Sequence, residues 1–79
     1  MGKDQQEQKK FLEEQLEWCR KQNQILQVIE EKFHEMKELA EYARDHALTS
    51  LEIDKLNNQL NDLKREVHSL EQQLYSVVQ

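Results

Sequence analysis

From Leu12 onward the chain keeps a helical beat. Positions 12, 15, 19, 22, 26, 29, 33, 36, 40, 43 and 47 step by threes and fours and carry Leu, Gln, Cys, Gln, Leu, Ile, Phe, Met and three alanines. That alternation marks one face of a helix packed on another helix. A second run, Ile53, Leu56, Leu60, Leu63, Val67, Leu70, Leu74 and Val77, follows the same steps with no polar exception. The two runs are out of phase. Continuing the first would place seam residues at Ser50 and Asp54, whereas the apolar residues stand at Leu51 and Ile53. Coiled coils absorb slips of three or four residues by local winding, but a slip of one demands a larger distortion. Thr49 also precedes Glu52 by three residues, the spacing of a capping box at a helix start. Both signals predict a new helix near Ser50 and a chain that folds back.

The expected fold is therefore all-α, an antiparallel two-helix hairpin of coiled-coil type forming one domain over residues 1–79. Helix 1 is expected over about 4–46, the turn at about 47–49 and helix 2 over about 50–77. Pairing residues whose numbers sum to 96 centres the turn on Leu48 and sets Ile53 against Ala43, Leu56 against Ala40, Leu60 against Met36, Leu63 against Phe33, Val67 against Ile29 and Leu70 against Leu26. Small residues opposite large ones near the turn let the helices approach there. Farther out Leu74 meets Gln22 and Val77 meets Cys19, so the pairing loses its apolar character at the open end. His46 stands where a basic group meets the last carbonyls of helix 1 favourably.

Helix 1 carries more apolar surface than this pairing uses. Phe11, Trp18, Ile25, Lys32 and Leu39, seven apart, form a second stripe, while the matching positions of helix 2 (Glu52, Gln59, Glu66, Gln73) are all polar. The first part of helix 1 also extends past the end of helix 2 with Phe11, Leu12, Leu16 and Trp18 uncovered. Apolar patches of this kind mark association sites. Phe11, Leu12, Leu16, Trp18, Ile25 and Leu39 are thus the expected partner-binding residues, in a dimeric helical bundle or against another helical protein. The competing arrangement, a parallel dimer of helix 2, would bring Glu66 of one chain toward Glu71 of the next, a repulsive pair.

Composition narrows the chemistry. Charged residues make up 34%, with no proline and one glycine, at position 2, which leaves no phosphate-binding glycine loop and excludes turn-rich sheet folds. The net charge of −5, with basic residues interleaved among acidic ones, is unsuited to nucleic acid. No apolar run is long enough for a bilayer, and Gln6 stands where a myristoylation signal has a hydroxyl. A single cysteine, Cys19, cannot pair within the chain, and a reduced, cytoplasmic setting is expected. Glu31 and His34 have the spacing of a di-iron carboxylate motif, but no second such pair follows, and His34 and His68 fall on outward positions. No cofactor, metal or catalytic group is expected, since two thin helices supply neither a pocket nor positioned partners.

The stretch "IEEKFHEMKELAEYA" through "LTSLEIDKLNNQLNDL", Ile29 to Leu63, resembles the small sporulation stage-zero-E-like aspartyl-phosphate phosphatases, which are two-helix hairpins. The resemblance lies in a helix, then "LTS", then a second helix, and it implies a hairpin shape and a response-regulator type of partner. Where that family has Ser-Gln-Glu-Leu-Asp, this chain has Asn57, Asn58, Gln59, Leu60 and Asn61, so only the leucine agrees. The amides of Gln59 and Asn61 can orient water but cannot act as a general base near neutral pH. The reading is a non-enzymatic interaction or regulatory module. A phosphatase-like regulator is the enzymatic alternative, and a passive coiled-coil scaffold the structural one.

Overall fold

Helix formation runs almost from end to end, as expected of a chain without internal glycine or proline. The computed structural model describes residues 2–78, with side chains described as far as Leu74. It has two elements, α1 (Gly2–Asp45) and α2 (Ser50–Val78), joined by residues 46–49 and packed as an antiparallel hairpin. The molecule measures 71 × 20 × 10 Å.

Local chemistry fixes the turn. At the start of α2 the Glu52 backbone N–H donates to Thr49 Oγ1 at 3.2 Å, and the Thr49 N–H reaches back to Glu52 Oε1 at 3.4 Å. The first α-helical bond, from the Ile53 N–H to the Thr49 carbonyl, measures 2.9 Å. This is the reciprocal cap that the spacing predicts. At the end of α1, His46 Nδ1 donates to the Tyr42 carbonyl at 2.9 Å, and its ring stacks on the Tyr42 ring with centroids 4.0 Å apart. One orphan carbonyl is thereby satisfied by a side chain. No described residue adopts a positive φ, so this turn is made without the left-handed glycine that many helix ends use. Thr49→Ala is expected to cost about 1 kcal/mol, read as a lower urea midpoint with an unchanged slope.

Packing corrects the expected face of α1. Leu26 and Phe33, placed in the seam by the repeat, are 50% and 51% exposed, and Ala40 is exposed as well. The covered positions of α1 are Gln22, Ile25, Val28, Ile29, Lys32, Met36, Leu39, Glu41 and Ala43. Alternate members of the expected seam (22, 29, 36, 43) stay inside, and the stripe through Ile25, Lys32 and Leu39 replaces the one through Leu26, Phe33 and Ala40. The helix is rotated by part of a turn. Side-chain volume near the turn gives the reason, because the rotated face offers Leu39 where the other offers Ala40. Lys32 does not block it, since its Nζ lies 3.0 Å from Glu66 Oε2 and its stem covers the seam.

Among the described residues the buried centre consists of Ile29, Leu63 and Val67, each still slightly exposed. Beyond them, toward the open end, the Gln22 side-chain nitrogen is buried with no hydrogen-bond partner. An unpaired buried donor is costly, so the seam weakens there. The expected facing of Val77 and Cys19 lies outside the described side chains.

Candidate interaction surfaces

Three surfaces follow from this geometry. The first is the overhang. α1 has 44 residues and α2 has 29, so some 15 residues of α1, about 22 Å at 1.5 Å per residue, have no helix opposite them. Phe11, Leu12 and Leu16 stand there 59%, 60% and 67% exposed. Trp18, at 36% exposed, sits at the margin and has an interaction of its own. Ile25 and Leu39, expected to face outward with these residues, are instead half-buried inside the hairpin. Ile53, expected in the seam of α2 against Ala43, is 45% exposed beside the turn, and the outward apolar residues that the pattern placed in the seam of α1 are Leu26 and Phe33. Their signal was present, since they continue the line of Leu12 and Cys19 seven residues apart, but the repeat alone assigned that line to the interior.

The other two surfaces are the grooves on either side of the seam. One is lined by Glu35, Glu38, Leu39 and Tyr42 of α1 and by Gln59, Asp62 and Leu63 of α2. Its rim is acidic and its floor apolar. The groove across the seam is lined by Phe33 and Met36 with Lys64, Val67, His68 and Glu71, where the charges are mixed. Lys32 holds its proton more tightly than an ordinary lysine. The hydrogen bond that its ammonium donates to Glu66 and the negative charge of Glu66 raise the lysine pKa, with smaller contributions in the same direction from Glu35 and Glu31 and an opposing one from burial.

His34 and His68 are engaged within their own helices. His34 Nε2 lies 3.0 Å from Glu38 Oε1, and His68 Nε2 is 3.2 Å from Gln72 Nε2. No group of three or more His, Cys, Asp or Glu among the described residues is placed to hold a metal ion. Of the residues aligned with the phosphatase signature, Leu60 is half-buried in the seam, Gln59 lines the acidic groove, and Asn57, Asn58 and Asn61 are exposed. Cys19 is free and exposed. No described helix is long and apolar enough to cross a membrane. Comparison with protein-family models, curated proteins and solved structures finds no match to this chain.

Proposed function

We propose that this chain is a non-enzymatic, cytoplasmic protein–protein interaction module, a coiled-coil hairpin that self-associates through its longer helix and so presents paired surfaces to a regulatory partner. The overhang carries this reading. Phe11, Leu12 and Leu16 form an apolar ledge with no helix opposite it. Helices of that length are marginal in water without tertiary support, and a second copy offers the same ledge in return, as a two-fold dimer requires.

Surface area supports the same occupant. The hairpin exposes 6830 Å², against about 5,100 Å² expected of a compact chain of 9.6 kDa. The excess, about 1,700 Å², is ample for the roughly 800 Å² per partner that a stable interface covers. Leu26 and Phe33 continue the apolar line into the hairpin and extend the contact.

Sedimentation equilibrium at micromolar concentration tests this. The chain is expected to weigh twice its 9.6 kDa, and Phe11→Glu with Leu16→Glu is expected to return it to one chain mass while the hairpin keeps its helicity. A wild-type monomer, or a double variant of unchanged mass, would remove the ledge as the interface.

A further inference from the structure

We infer that the acidic groove between α1 and α2 docks a cationic amphipathic helix of a second protein. Leu39, Tyr42 and Leu63 make its floor, and carboxylates from both helices, Glu35, Glu38 and Asp62, stand around it in an open trough of about 540 Å³. The trough continues toward the turn along Leu56 and Leu48, where Glu52 adds another carboxylate and Lys55 a cation. From Leu63 to Glu52 it runs 11 residues of α2, about 17 Å or three helical turns. An incoming helix of that length presents leucine-like residues at positions i, i+3 or i+4, and i+7 to such a floor.

Charge selects the occupant. Glu38 is paired with His34 and Asp62 with Arg65, both within single helices and all four side chains well exposed, so these local pairs give way readily to a stronger partner. Lys32, three residues before Glu35 on α1, is already engaged by Glu66. The opposite groove, with Lys64 and His68 beside Glu71, has no comparable bias. Lysine or arginine flanking an apolar stripe therefore fits one side of the hairpin and not the other. Leu39, half-buried within the hairpin, contributes to this partner surface by way of the trough floor.

Fluorescence anisotropy with a labelled, amidated 18-residue Leu/Lys amphipathic peptide tests the inference on the full chain, with the matching Leu/Glu peptide as control. The expected result is saturable binding of the Leu/Lys peptide with a dissociation constant on the order of 10 µM, and none of the Leu/Glu peptide. Glu35→Lys with Glu38→Lys should weaken it at least about tenfold, and Tyr42→Ala severalfold. Glu30→Lys with Glu71→Lys makes the same charge change outside the trough and should leave the affinity within about twofold. All of these substitutions except the one at Glu71 fall on exposed side chains, and circular dichroism of each variant checks that the hairpin persists. Equal losses from the two charge-reversal pairs would reduce the effect to general attraction and overturn the site. Absence of wild-type binding would overturn it too. So would binding that appears only after Lys9→Glu with Lys10→Glu, because a second copy's N-terminal helix would then be the occupant.

Discussion

Val67→Asp is expected to leave the chain largely unfolded at neutral pH, with most of its helical circular dichroism lost. Val67 is 6% exposed and belongs to a buried centre of three side chains, with Ile29 and Leu63. An ionised carboxylate placed there without a partner costs several kcal/mol, and a core this small supplies only a few kcal/mol in all. Burial raises the pKa of the new carboxyl above the ordinary aspartate value. The penalty is therefore full at pH values above the folded-state pKa, and it shrinks as pH falls and the group is protonated, so part of the helicity should return in mild acid. Asn61→Asp, on an exposed position of the same helix, serves as the control and should leave the helical signal unchanged. Wild-type helicity in the Val67→Asp chain at pH 7 would mean that the seam does not hold the hairpin together.

A paired truncation reads the rotation of α1. Ile29→Ala should cost about 2 to 4 kcal/mol, because it removes a buried side chain from a site with little freedom to collapse. Phe33→Ala removes more atoms but should cost about 1 kcal/mol or less in the monomer, since Phe33 is half exposed. Urea titrations at submicromolar concentration, where association is suppressed, give both values. A larger loss at Phe33 than at Ile29 would restore the face that the heptad pattern first suggests. If the Phe33 cost grows with protein concentration while the Ile29 cost does not, the difference belongs to the association of two copies.

That contrast also marks what the amino-acid pattern could and could not convey. The seam of α2 was readable from Leu56 to Leu74, though not at Ile53 beside the turn, because one narrow apolar stripe has one way to face a neighbour. Thr49 and Glu52 announced the fold-back through chemistry confined to four residues, independent of tertiary packing. The facing side of α1 was not readable in the same way. Its apolar sector is three stripes wide, a single helix covers two of them, and the repeat gives Phe33 and Ile25 similar claims. Lys32 pointed away from the true solution, since a charged residue in a stripe suggests solvent. Its long stem and the carboxylate of Glu66, 3.0 Å from its Nζ, make the position tolerable. The apolar ledge at Phe11, Leu12 and Leu16 needed only the difference in helix lengths, and it stands where the pattern placed it. The acidic groove depends on which side chains of the two helices become neighbours, so the rotation had to be known before it could be found.

The elongated outline has a bearing on how the particle moves in solution. Its radius of gyration is 20.1 Å, against about 12 Å for a compact chain of 79 residues. Amide N–H bonds in both helices lie nearly along the helix axes, hence along the 71 Å dimension. End-over-end rotation of that long axis, the slowest of the tumbling modes, therefore governs their magnetic relaxation almost uniformly. A single hairpin should relax like a heavier globular protein and leave a gel-filtration column early. Either signal, taken as a mass, would report two chains where there is one.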